Sequence, residues 1–237
     1  GKFQMSLAPV NYNFGNASNY SFATTITCNN EDARKMFVEG FGHMLNYNHE
    51  QAIACYMNVT ELDPACAMAW WGIAYCVSSN YNWTPGLGSG YDPIQQAISL
   101  KAGCTALEQD LIDALAERHS EEARDAADPS VLNMGNSPEL NIAFAKAMAP
   151  LYLKYKGNLD VAAIYVEALM NLNAWQLWNK NTETGEITPL DNNTLLCVKV
   201  MEDAFENISG AKQHIALCHL YCHCLELSPF PERALPA

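Results

Sequence analysis

Residues Ala33 to Pro64 read ARKMFVEGFGHMLNYNHEQAIACYMNVTELDP, and this stretch decides the fold. It predicts a helix, a turn and a second helix. Gly40 stands in the middle of the first helix, where a partner helix must come close. Ala52, Tyr56 and Val59 follow i, i+4, i+7 spacing and form one apolar face of the second. Asp63-Pro64 then stops that helix, because proline cannot continue the hydrogen-bond ladder. A hairpin of this kind exposes an apolar flank that it cannot bury alone, so it predicts a neighbour of the same kind.

The stretch resembles the tetratricopeptide repeat (TPR), a 34-residue helical hairpin with small, aromatic and proline residues at fixed offsets. With Ala33 as its first position, Gly40 and Ala52 fall on small positions, Tyr56 on an aromatic one and Pro64 on the proline. A second unit beginning at Ala67 puts Trp70 on an aromatic position and Ala74 on a small one. Glu39 and Met36 depart from the pattern. The segments NHEQAIACY, DPACAMAWWGIAY, VEALMNL with AWQLW, and HLYCHCLELSPFPERALPA resemble a widespread group of bacterial and eukaryotic TPR-domain proteins that has no settled activity. The resemblance implies an all-α fold, a TPR-like α-solenoid of antiparallel helix hairpins with two long loop insertions.

TPR arrays bind peptide ligands along a concave groove lined by the first helix of each unit. Carried over by position, that groove is Arg34, Phe37, Phe41, Met44 and Leu45, then Met68, Trp71 and Tyr75, and in a later unit Tyr165 and Leu169. It is aromatic, and it departs from the lysine and asparagine clamp that holds an acidic chain end. Open to water, these rings would form a large apolar patch, so something should cover them. The nearest candidates are Tyr12, Phe14, Tyr20 and Phe22.

Residues 1–29 are rich in Asn, Ser, Tyr and Phe without a helical period and read as an extended lead-in; 30–237 read as the helical repeat domain. Asn30 is suited to N-cap the first helix. The stretch SSNYNWTPGLGSGYDP is the first insertion, and its GLGSG lacks the strand and the Lys-Ser/Thr of a phosphate loop. Helices follow at about 93–103 and 105–119. An acidic connector covers 120–137. Ser137-Pro138 opens a helix to about Tyr155, and Asp160 opens another. NAWQLWNKNTETGEITPLDNN is the second insertion, ahead of helices at about 194–207 and 212–227. The closing PERALPA has the form of another first helical turn, so the array is expected to continue beyond residue 237.

The chain has 237 residues, 49% of them apolar, and a net charge of −13. It has no basic stripe to neutralise phosphates, which excludes nucleic acid as a partner, and the same charge disfavours an anionic membrane surface. No apolar run is long enough to span a membrane. The nine cysteines form no paired CxxC clusters and read as buried thiols. Against that stand sequons at Asn16, Asn19, Asn58, Asn82, Asn192 and Asn207, which are either glycosylation acceptors of a secreted protein or the chance product of an Asn-rich chain. Secretory and cytoplasmic locations both stay open.

The segment Gln213 to Glu226 carries the sharpest chemistry. His219 and His223 are at i and i+4 and Glu226 at i+7, one helical face within reach of a divalent ion such as zinc. In the repeat register these three face the groove. No HExxH supplies a general base, and His43, His49 and His119 read as single structural histidines. Two functions stand side by side. One is a non-enzymatic scaffold or assembly subunit without cofactor, holding a protein or peptide segment or another copy of itself. The other is a metal-binding protein or metal-dependent enzyme built on His219, His223 and Glu226.

Overall fold

The computed structural model describes residues 22–128 and 137–235, and among these the chain is mostly helical. In order come α1 (Glu31–Leu45), α2 (His49–Leu62), α3 (Ala67–Val77), α4 (Tyr91–Leu100), α5 (Ala106–Ala116) and α6 (Glu121–Asp125). Then follow α7 (Pro138–Lys154), α8 (Leu159–Met170), the strands β1 (Trp178–Lys180) and β2 (Ile187–Pro189), α9 (Asn192–Asn207) and α10 (Ile215–Leu225).

The first hairpin forms as its sequence predicts. Asn30 Oδ1 accepts from the amides of Asp32 and Ala33 at 2.9 and 3.1 Å, and α2 ends at Asp63, whose amide bonds to Val59 O. A Cβ on Gly40 would sit 2.9 Å from Cys55 Cβ and 3.0 Å from the Tyr56 ring, so the two helices touch there. Gly72 on α3 lies against the other edge of the same ring, where a Cβ would come within 2.5 Å. Tyr56 is therefore clasped between two glycines from two helices, and it is fully buried. On α3 the close approach to Tyr56 is thus made at Gly72, two residues before Ala74.

Several boundaries differ from the sequence reading for local reasons. Gly90 rather than Asp92 caps α4, so Asp92-Pro93 lies inside its first turn. Thr105 and Glu108 form a reciprocal capping box at α5, which stops at Ala116. The acidic connector contains α6, capped by Ser120. Asn158, not Asp160, caps α8, and α10 starts at Ile215 with His214 as its cap. Within the second insertion the chain forms a β-hairpin, an exception to the all-helical expectation. Asn181 Oδ1 takes the amides of Glu183 and Thr184 at 2.9 and 3.1 Å, Gly185 adopts φ 75°, and Lys180 pairs with Ile187. This is the side-chain-stabilised turn that Asn and Gly favour.

Helix α8 lies at the centre: every residue from Leu159 to Met170 is buried, against α7, α9 and α10. Its near-uniform apolarity is the signature of a helix covered all round. Asp160, in its first turn, accepts from His214 Nε2 at 3.0 Å and from the Phe22 amide at 3.3 Å, tying α10 and the lead-in to the core. No helix among the described residues is long and apolar enough to cross a membrane.

Candidate functional site

The residues carried over as groove lining fall into two groups. Phe37 and Phe41 are fully buried, and Met44, Trp71 and Tyr75 nearly so. Phe22 covers the wall, its ring 6.4, 5.5 and 6.3 Å from those of Phe37, Phe41 and Trp71 in edge-on geometry. The covering strand is held through its backbone. The Thr27 amide donates to Glu108 Oε1 at 2.6 Å, the Asn29 amide to Asp63 Oδ2 at 2.6 Å, and Arg34 donates to Cys28 O at 2.5 Å. This end of the groove is thus filled by the chain itself, and the expected Tyr12, Phe14 and Tyr20 lie outside the described residues. Tyr165 and Leu169 instead line an open cavity of about 560 Å³ between α7 and α9, with Ile142 and Leu196.

Beyond Tyr75 the interior turns polar. Tyr75 Oη donates to Glu167, whose carboxylate also meets Tyr47, Asn171 and the charge of Arg118. Burial raises the Glu167 pKa, opposed by the Tyr75 hydrogen bond and by Arg118. Arg118 is buried over the Phe144 ring and donates to Asn141 Oδ1 and to Ser79 O at 2.9 and 2.6 Å. Tyr47 Oη, Glu167 Oε1, Asn171 Nδ2 and His49 Nε2 are buried and fall short of hydrogen-bonding geometry with any protein group. Four such atoms gathered in one region mark a polar interior that the fold does not complete by itself.

His49, read as structural from the sequence, is part of this region. Its Nδ1 lies 3.1 Å from Cys76 O and 3.3 Å from Asn80 Nδ2, which hold the ring in place from α3 and from the first insertion. Burial, then its backbone partner and Arg118, set its pKa, which falls to about 4, so the ring is neutral. His49, Tyr47, Asn80, Asn82, Trp83 and Leu87 line a cleft of about 400 Å³.

His219 on α10 backs two residues of this cleft, and His223 lies one turn further along the helix. His219 stacks on Tyr47 at 4.7 Å between ring centres, and its Nε2 lies 3.3 Å from Asn82 Nδ2. The His219 pKa is lowered, by burial first and by His223 second. His223 packs on Tyr81 and Trp175 at 5.2 and 5.3 Å, and its Nδ1 lies 2.9 Å from Glu226 Oε1. The three residues singled out from the spacing thus share a face, but Glu226 bonds to His223 rather than joining the histidines around a common point. His214 is turned into the core on Asp160. Among the described residues, the group whose donor atoms all lie within 4.8 Å of one another is Glu39, His43 and Cys55.

The two residues other than glycine with positive φ among those described are Tyr47 at 60°, which lines this cleft, and Trp175 at 65°, which packs on Tyr81 and His223. Tyr47 closes α1: its amide bonds to Met44 O at 3.0 Å and that of Asn48 to His43 O at 2.9 Å. That is a helix end at which glycine or asparagine is usual. Sequence reasoning missed Tyr47, Asn80, Tyr81, Trp175 and Glu167. The one signal available was a bulky Tyr between two asparagines where a glycine belongs.

Of the sequon asparagines, Asn82, Asn192 and Asn207 are exposed and Asn58 is half-buried, while Asn16 and Asn19 lie outside the described residues. Thr194, which completes the Asn192 sequon, is buried with its hydroxyl on Leu177 O. All nine cysteines are free thiols. Fold and site together define a mostly helical protein with a cleft lined by His49, Tyr47 and Trp83. Searches find no family model, curated protein or solved structure that matches this chain.

Proposed function

We propose that this chain is a non-enzymatic TPR-like scaffold that holds a protein segment, and that the segment's tip enters the cleft formed by Tyr47, His49, Asn80, Asn82 and Trp83. The observation that carries the reading is the continuity of the interior: one wall runs from the Phe22 seat through Tyr75 to His49 and Tyr47. At the first end the chain's own extended segment is taken up through backbone amides and one aromatic ring. At the other end Glu167, Tyr47 and His49 face one another with buried polar atoms that fall short of full hydrogen-bonding geometry. A volume of about 400 Å³ suits one or two side chains, not a long strand. Glu167 offers an acceptor, the amides of Asn80 and Asn82 offer donors, the His49 ring offers a polar edge, and Trp83, about half exposed, offers a stacking face.

A second reading has one observation in its favour. Glu226 holds His223 by Nδ1, the arrangement in which a carboxylate orients an imidazole and leaves Nε2 for a metal ion such as zinc.

One experiment separates the two. Peptides are selected on the intact protein from a random display library, and their affinity is measured by calorimetry for wild type, Asn80→Ala/Trp83→Ala and His219→Ala/His223→Ala, with and without zinc. The scaffold reading expects selected peptides to lose at least about tenfold in affinity, about 1.4 kcal/mol, in the first variant without any need for zinc. Zinc binding by wild type that the histidine pair abolishes would favour the second reading. Peptides that bind wild type and the Asn80/Trp83 variant equally would overturn the first.

A further inference from the structure

Glu39 and His43 lie one turn apart on α1, and Cys55 faces them from α2. Their carboxylate oxygen, imidazole nitrogen and sulfur lie within 4.8 Å of one another. We propose that these three side chains form a metal site that takes a borderline-soft divalent ion such as zinc, apart from the imidazole cleft.

The backbone explains why the donors converge. At Gly40 the helices are close enough that a Cβ would meet Cys55 Cβ at 2.9 Å, so the sulfur is set directly beside α1. Glu39 and His43 flank that contact point, spaced to share a helix face. The donor set is one sulfur, one nitrogen and one oxygen, which suits zinc better than magnesium or calcium, whose sites are built from oxygen. Tetrahedral zinc with bonds of about 2.0–2.3 Å holds its ligands about 3.3–3.8 Å apart, so side-chain adjustments of about 1 Å complete the site.

A second observation points the same way. Gln51, one turn before Cys55, is largely buried, and its amide is aimed at the Cys55 sulfur short of full hydrogen-bonding geometry. A thiol gives that amide little to donate to, whereas a metal-bound thiolate is a strong acceptor. Gln51 is then the outer partner that a sulfur ligand uses. Asn48, 3.3 Å from His43 Nδ1, orients the imidazole from its other side. Glu39 is half-buried and gives the ion its way in, while His43 and Cys55 are shielded from water. Binding exchanges the thiol proton of Cys55 for the metal–sulfur bond and releases the proton to solvent. No electron is transferred.

The test is cobalt(II) titration of the full chain after treatment with a chelator, followed by absorption. Wild type is expected to develop the near-ultraviolet charge-transfer band that requires a cobalt–sulfur bond. Cys55→Ala should abolish it, and His43→Gln should weaken binding at least about tenfold, about 1.4 kcal/mol. His219→Ala/His223→Ala should leave it unchanged. Circular dichroism checks each fold, and if Cys55→Ala does not fold, Glu39→Gln at its half-exposed position should still cost about tenfold. Folded wild type without the band, or a band that survives in folded Cys55→Ala, would overturn the site.

Discussion

Replacing Phe22 by alanine tests whether the groove is closed from within. The ring is about 3% exposed and meets three aromatic partners edge-on. Removing a buried Phe ring costs about 3–5 kcal/mol through lost transfer energy and the cavity left behind. Rigid surroundings favour the upper part of that range, since Phe37, Phe41 and Trp71 sit on helices that also pack on one another. The backbone clasps at Glu108 and Asp63 should keep the segment docked, so the cavity persists. With a urea slope of about 3 kcal/mol/M, the unfolding midpoint should fall by about 1.0–1.7 M. The assay is urea unfolding followed by tryptophan fluorescence and by circular dichroism, because Trp71 reports the seat directly. A midpoint shift below about 0.3 M, equivalent to about 1 kcal/mol, would refute the reasoning and show that Phe22 contributes no more than a surface side chain.

Gly72→Ala places a Cβ within 2.5 Å of the Tyr56 ring, which Phe37 backs at 5.2 Å. Overpacking there of about 1–3 kcal/mol should exceed the helix-propensity gain of about 1 kcal/mol, so the melting temperature should drop. Gly103→Ala meets nothing within 4 Å and should raise stability by about 0.4–1 kcal/mol; equal effects at the two sites would contradict the packing. Stability should also fall in acid. Burial lowers the pKa of His49 to about 4 and of His119 to about 3, so below about pH 6.5 the unfolded chain binds protons that the folded one refuses. Each histidine then removes about 1.4 kcal/mol per pH unit until its folded pKa is reached. Glu167, whose pKa is raised, acts with the opposite sign, so Glu167→Gln should steepen the decline measured by urea unfolding between pH 6.5 and 4.

What could be read from the sequence followed from local rules. The cap at Asn30, the stop at Asp63-Pro64 and the close contact at Gly40 each depend on a few neighbouring residues. The cover over the aromatic wall was legible for a different reason: so many exposed rings need an occupant, and Phe22 was among the nearest. The pairing of His219 with His223 was legible from i, i+4 spacing alone. The role of Glu226 was not, because spacing shows which face a carboxylate shares and not which atom it bonds. Asn80, Tyr81 and Trp175 come from the two insertions, where no period relates side chain to direction. Glu167 is a carboxylate within an apolar helix, and spacing does not show that it is buried against Tyr75. Cys55 with Glu39 and His43 crosses between two helices, so its pattern has no single spacing to find.

The interior is divided by charge as much as by shape. On the Phe22 side the carboxylates of Asp63, Glu108 and Asp160 are each bonded to backbone amides of the lead-in, so that half needs no ligand. On the other side Glu167 faces the buried Arg118 without a direct hydrogen bond between them, and Tyr75 takes one of its oxygens. The second oxygen, the Tyr47 hydroxyl and His49 Nε2 fall short of full hydrogen-bonding geometry. Leaving a buried polar atom without a partner costs about 1–3 kcal/mol, and a left-handed backbone at a bulky residue adds about 1–3 kcal/mol more. Both costs fall on Tyr47, and Trp175, packed on His223, bears the second. A chain selected only for stability could relieve the first by replacing Tyr47 with glycine and still close α1. The tyrosine that stands there instead stacks on His219 and lines the cleft, so both costs are carried at the position that joins α1 to α10.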